Sequence, residues 1–410
     1  MTVPTTVSPD RTRAQTAVPA AFGIRGSRAR IDSVDVVRGI AMILMALDHT
    51  RDFFGSRADP TNVATTTAAL FFTRWITHVC APTFFLLTGT GAALSLGRGR
   101  KTTGELSRFL VTRGVWLIFL EAVVIRCLGL QFNFDYRTTI LEVIWALGWA
   151  MIALAALVWL PRTAIAISSL AMIVGHNLFD GIRSAKPWWV FLHRPGFLSP
   201  PPGHVVFAAY PIVPWIGVTA IGFVLGGIYV WEPARRRAFL LRLAVTLPCA
   251  FVTLRFLNVY GDPFRWSVQP SAAHTLIAFL DATKYPPSLL FLLMTLGFTM
   301  LGLFAFDAGV PHWMTPALTF GRVPLFYFIV HLPLIHLLVV AIGYARYGSI
   351  HWFFDSPSLD KYPFEMPPGW GCSLPFVYAM WALVVVALYP LCAWFDRVKA
   401  RNRSPWLSYF

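Results

Sequence analysis

Between Arg30 and Phe54 the chain reads RIDSVDVVRGIAMILMALDHTRDFF, an apolar run interrupted by Asp35, Arg38, Asp48, His49 and Asp52. Ionisable groups at membrane depth are costly, so each is a candidate for function. On a helix Arg38 and His49, eleven residues apart, return to within about 20° of one face and lie about 16 Å apart along the axis. A guanidinium pairs with phosphate, and an imidazole exchanges a proton near neutral pH. One face therefore offers an anion anchor at one end and proton chemistry at the other. Asp52, three residues beyond His49, is close enough on a helix to orient its ring and stabilise an imidazolium, whereas Asp48 points about 100° away. The plainer alternatives are that Arg38 anchors the helix end beside Asp35 and that His49 is a polar residue at the membrane interface.

The elements around this helix follow from composition. Of 410 residues 56% are hydrophobic and 13% charged, against about 25% charged in a soluble globular protein. Apolar runs predict an all-α polytopic membrane protein with about 10 (10–11) spans, near 34–54, 69–97, 107–130, 138–160, 163–182, 205–231, 238–258, 286–306, 315–345 and 374–395. The weakest element is 272–280, a candidate interfacial helix in the 259–285 loop. No fixed-period repeat is visible, which removes the solenoid folds.

The net charge of +15 would suggest nucleic acid in a soluble protein. With ten spans both termini share one side, which carries eighteen basic and six acidic residues, against ten and nine on the other. The positive-inside rule makes the first side cytoplasmic, so the basicity sets orientation in a multi-pass cell membrane protein and no nucleic-acid partner is expected. The expected organisation is a disordered cytoplasmic tail over 1–30, a transmembrane domain over 31–397 and a cytoplasmic tail over 398–410. With no apolar h-region in the first thirty residues, the first span reads as uncleaved. Cys80, Cys127, Cys249, Cys372 and Cys392 are too scattered for a zinc or redox motif, and no metal site is expected.

Other charged residues fall into groups. Arg98, Arg100, Lys101, Arg108 and Arg113 cluster at the cytoplasmic ends of the second and third spans, where they either bind phosphate or only anchor topology. Arg74 with His78, and His176 with Asp180, share helix faces at i, i+4 near the outer side. Arg322 and His331 fall on opposite faces. Glu121, Arg126 and Glu142 suit a buried ion pair as well as catalysis. Trp188, Trp189, Trp266, Trp352 and Trp370 either stack on sugar or belt the interface.

Five ordered blocks carry a resemblance: RIDSVDVVRGIAMILMALDH at 30–49, APTFFLLTGTGAALSLGRGR at 81–100, YPIVPWIGV at 210–218, KYPPSLLFLLMTLG at 284–297 and FGRVPLFYFIVH at 320–331. They resemble the bacterial members of the heparan-alpha-glucosaminide N-acetyltransferase catalytic-domain family. Arg38, ten intervening residues and His49 also resemble the first-helix signature of the acyltransferase-3 family. The resemblance implies transfer of an acyl group, usually acetyl, from cytoplasmic acetyl-CoA to an amine or hydroxyl of a sugar or glycolipid across the bilayer. It makes Arg38 a donor-phosphate ligand, with Arg113, Arg100 and Lys101 as further candidates, and His49 the catalytic histidine beside Asp52 and Asp48. The lysosomal branch places its histidine in the loop after this helix, and Gly55 to Asn62 holds none. A proton-coupled transporter with an Asp/His/Arg relay is the competing class. Acceptor identity, acyl chain, oligomeric state and the choice between direct transfer and an acyl-histidine stay open.

Overall fold

The computed structural model describes residues 31–410 except 57, 98, 100, 199–200, 403, 405, 406, 408 and 410. The expected 1–30 tail and the candidate ligand Arg100 therefore lie outside the described residues. The helices are α1 (Asp32–Phe54), α2 (Ala68–Thr77), α3 (Cys80–Gly97), α4 (Thr103–Phe119), α5 (Val143–Leu157), α6 (Arg162–Gly175), α7 (Pro187–Leu192), α8 (Ile212–Leu225), α9 (Pro233–Leu257), α10 (Ala272–Leu280), α11 (Leu289–Phe306), α12 (Thr315–Arg322), α13 (Pro324–Tyr347) and α14 (Leu374–Arg401). The strands β1 (Thr138–Leu141), β2 (Gly196–Leu198) and β3 (Val205–Ala208) form one small sheet in the order β1-β3-β2.

Among the described residues six helical segments are long and apolar enough to cross a membrane: Ala68–Gly97, Ile212–Val230, Pro233–Leu257, Leu289–Phe306, Pro324–Tyr347 and Leu374–Arg401. The protein is thus a mostly helical, multi-pass membrane protein. Helices also occupy the other four expected spans, but α5 is short and α1 carries six charged side chains along its length.

Three departures from the sequence expectation have local causes. The segment 138–141 is not the start of a span; its β-branched residues form β1 and pair in parallel with β3, from Thr138 opposite Val205 to Leu141 opposite Ala208. The same pairing takes 205–208 out of the next expected span. The expected 315–345 span is broken at Val323, because the residue before Pro324 is pushed out of the helical region, here to φ −129° and ψ 47°. Beyond α4 the chain continues as a wider helix, Leu120–Leu130.

Small residues set the tightest helix crossing. A Cβ on Gly39 would lie 1.7 Å from the Ala317 carbonyl oxygen, and one on Gly321 would lie 1.7 Å from that of Asp35. Only glycine at both positions lets α1 and α12 touch backbone to backbone. That contact puts the Gly321 carbonyl oxygen 3.0 Å from Arg38 Nη1, which also reaches Asp35 at 3.0 Å. At the same end Arg322 on α12 pairs with Asp32 on α1 and Asp396 on α14.

At the Phe54 end, two buried arginines organise the loops. Arg126 donates to the Asn133 carbonyl (2.6 Å) and side chain (2.8 Å) and to the Thr138 carbonyl (3.2 Å). Its partner Asp135 also accepts from Ser356, and these bonds hold the carboxyl below its usual range against the opposing effect of desolvation. Arg255 donates to the carbonyls of Phe264, Ala278, Phe279 and Asp281. Nearby, Asp262 accepts from the Thr283 amide and hydroxyl and from the Ser288 hydroxyl, all at 2.8 Å. The Lys284-Tyr285-Pro286-Pro287 stretch is bracketed by these bonds. The 346–373 segment is pinned to the end of α1 through Trp370 Nε1 to the Phe53 carbonyl and the Cys372 amide to the Phe54 carbonyl.

Candidate active site

Two cavities lie along α1. The first, about 280 Å³, is walled by apolar side chains of α3, α4, α5 and α13, including Leu87, Leu110, Leu147 and Phe328, and holds the guanidinium groups of Arg38 and Arg113. The second, about 320 Å³, lies toward the Phe54 end and is polar: Asp48, His49, Asp52, Arg74, Glu142, Tyr210, Lys284, Tyr285 and Tyr362 line it. Phe84 and Val143 line both. The two chambers therefore adjoin with this pair as common wall, Arg38 lining one and His49 the other.

The charges around His49 are distributed differently from the sequence expectation. Asp52 is not bonded to the histidine; its Oδ1 takes a 2.5 Å contact from Arg51 Nη2, and its side chain is 44% exposed. The cause is Arg51, whose buried guanidinium reaches both neighbouring carboxylates. Asp48 receives Arg74 Nη1 at 2.6 and 2.5 Å, Arg51 Nη2 at 3.0 Å and the Thr77 hydroxyl at 2.9 Å. It is the anion that neutralises two buried cations and ties α1 to α2. Neither ring nitrogen of His49 has a hydrogen-bond partner among the described residues. Its neighbours are rings: Phe328 at 6.4 Å and His331 at 5.2 Å between centroids.

Of the other candidates, Arg113 lines the first cavity with its guanidinium carbon 5.9 Å from the Phe109 ring. Lys101 does not line it; its ammonium sits 4.5 Å from the centre of the Phe109 ring. His78 is buried against Phe291 and lines neither chamber. Asp180 is held by Asn177 and lies 3.5 Å from His193, away from both cavities. Glu121 accepts from the Glu142 amide at 3.2 Å. None of the five loop tryptophans lines either chamber; Trp370 is instead a buried strut to α1. Sequence reasoning missed Lys284, Tyr285, Tyr210 and Tyr362 as site residues. Lys284 carried a signal, being the one charge at the head of the apolar block KYPPSLLFLLMTLG.

Known families then identify the scaffold. The family model described as heparan-alpha-glucosaminide N-acetyltransferase, catalytic, matches residues 30–260, more than half of the chain. The chain belongs to that family. No curated protein is similar enough in sequence to match it. The matched range takes in α1 and every element that lines the first cavity except the start of α13. The family's name makes its members N-acetyltransferases. Among the described residues no group of three or more His, Cys, Asp or Glu side chains is arranged to hold a metal ion.

Proposed function

We propose that the protein is a membrane-bound acyltransferase that moves an acetyl group from acyl-CoA on the cytoplasmic side to an amine or hydroxyl of a sugar or glycolipid on the other side. The observation that carries this reading is the pair of adjoining chambers along α1, which share Phe84 and Val143 as wall. The first chamber suits an extended, largely apolar arm with phosphates at its mouth, because its cations, Arg38 and Arg113, are set in apolar walls. The second is polar enough to take a sugar. The roughly 16 Å between Arg38 and His49 along α1 lets one donor span from phosphate anchor to reacting carbonyl.

In this reading neutral His49 takes the proton of the acceptor amine or hydroxyl as that atom attacks the thioester carbonyl, and returns it to the departing CoA thiolate. The carbon–sulfur bond breaks as the new carbon–nitrogen or carbon–oxygen bond forms. Asp48 sets the local charge and holds α2 in place, and Asp52, at the rim beside Arg51, faces the arriving acceptor. The transporter reading gains little from the first chamber, whose walls are mostly apolar and whose only charged lining residues are two arginines.

The test is radiolabel transfer from acetyl-CoA to glucosamine, or to the lipid-linked sugars of the protein's own membranes, by detergent-purified protein. His49→Ala is expected to lower the rate by about 10²–10⁴-fold with donor binding retained. Full activity in that variant would refute the assignment, and failure of the purified protein to bind acetyl-CoA would refute the function.

A further inference from the structure

His331 lies on α13, completely buried, beside the His49 ring. Its Nδ1 lies 2.7 Å from the Phe328 carbonyl oxygen and 3.2 Å from that of Tyr327. A carbonyl only accepts, so Nδ1 carries the hydrogen and Nε2 carries the lone pair. That Nε2 is buried and has no hydrogen-bond partner. An unpaired acceptor in such a place is costly unless something engages it. The ring centre of His49 is 5.2 Å away, close enough for facing ring nitrogens to come within hydrogen-bonding reach. His49, for its part, has no competing partner and stands at the edge of the second chamber.

We propose that His331 is the positioning residue of His49: its Nε2 accepts the N–H of the His49 ring, fixing the tautomer and directing the other, unprotonated nitrogen into the second chamber. This rests on the acyltransfer reading above, in which that nitrogen takes the acceptor's proton. The role expected of Asp52 in the sequence passes to a neutral partner on another helix. The backbone of α13 in turn fixes His331, through the two carbonyls one turn back that lock its own tautomer. Tyr327, stacked at 5.5 Å with an interplanar angle of 27°, holds the His331 ring from its other side.

The experiment compares His331→Phe, which keeps ring volume and removes the acceptor, with His331→Gln, which restores an acceptor oxygen near the place of Nε2. His331→Met stands in for the phenylalanine variant should that one fail to fold, as judged by gel filtration and thermal unfolding in detergent. Using acetyl-CoA with glucosamine, the expected result is a kcat about 30–100-fold lower in His331→Phe with KM for acetyl-CoA unchanged, and recovery to within about tenfold of the natural protein in His331→Gln. A folded His331→Phe protein with undiminished kcat would overturn the proposal. Equal impairment of the phenylalanine and glutamine variants would also overturn it, because a packing role would not distinguish them. If His49→Ala is inactive while His331→Phe is fully active, this inference alone fails; if His49→Ala is fully active, the catalytic reading beneath it fails.

Discussion

Gly321→Ala tests whether the α1–α12 contact positions the donor anchor. The added Cβ would stand 1.7 Å from the Asp35 carbonyl oxygen, where an ordinary contact begins near 3.4 Å. The obstructing atoms are backbone, so no side chain can swing aside and the helices must separate by about 1.7 Å. That movement carries the Gly321 carbonyl away from Arg38 Nη1, now 3.0 Å distant, and beyond hydrogen-bonding range. Overpacking of this kind costs about 1–3 kcal/mol, and loss of a hydrogen bond to a charged donor about 1.5–3 kcal/mol. A combined loss near the middle of those ranges, about 4 kcal/mol, should shorten the half-life of thermal inactivation in detergent markedly and raise KM for acetyl-CoA about tenfold. Gly91→Ala is the control, since a Cβ there meets nothing within 4 Å and the helix gains about 1 kcal/mol from alanine. Its stability should hold or rise. Gly321→Ala protein with the heat resistance and donor KM of the natural chain would refute both the close crossing and its link to Arg38.

Arg38→Gln and Arg113→Gln should each raise KM for acetyl-CoA tenfold or more while kcat changes little, whereas Lys101→Ala, outside the chamber, should leave both constants as they are; steady-state kinetics over a donor range decides. Asp48→Asn strands the largely buried Arg74, leaving Arg51 with Asp52 alone, and should destabilise by about 3–5 kcal/mol in thermal unfolding. Asp52→Asn, at a half-exposed rim position, should change stability far less. Burial raises the Asp281 carboxyl from 3.8 to about 6, against the pull of Arg255, so the folded state holds its proton more tightly than the unfolded chain. That contribution is complete below about pH 4 and lost as pH rises through about 6; melting in detergent should therefore fall more steeply from pH 4 to pH 7 in the natural protein than in Asp281→Asn.

The helical architecture was legible because a bilayer leaves the chain few options: each apolar run long enough to span had to satisfy its backbone internally, and a helix occupies every expected position. The shared face of Arg38 and His49 was equally legible, being a consequence of 100° per residue within one uninterrupted helix. Where the reading slipped, two signals competed. Thr138, Thr139 and Ile140 are apolar enough to extend a span but β-branched enough to pair, and the partner that decided between them lies 67 residues away at Val205–Ala208. The break at Val323 had its own local cause in Pro324, overridden in the expectation by the continuous hydropathy around it.

The charges of α1 mark the point at which one-dimensional reasoning stops. Spacing made Asp52 the partner of His49 and set Asp48 aside, but it passed over Arg51, which on the same helix lies three residues from Asp48 and next to Asp52. In the folded protein Arg74 comes to Asp48 from α2, and the buried Arg51, on α1 itself, bridges Asp48 and Asp52. An imidazole competes poorly with a guanidinium for a carboxylate, since the guanidinium is always charged and offers five donors. His49 is thereby left without a carboxylate hydrogen-bond partner among the described residues. The carboxylates nearest to His49 in sequence serve the arginines instead.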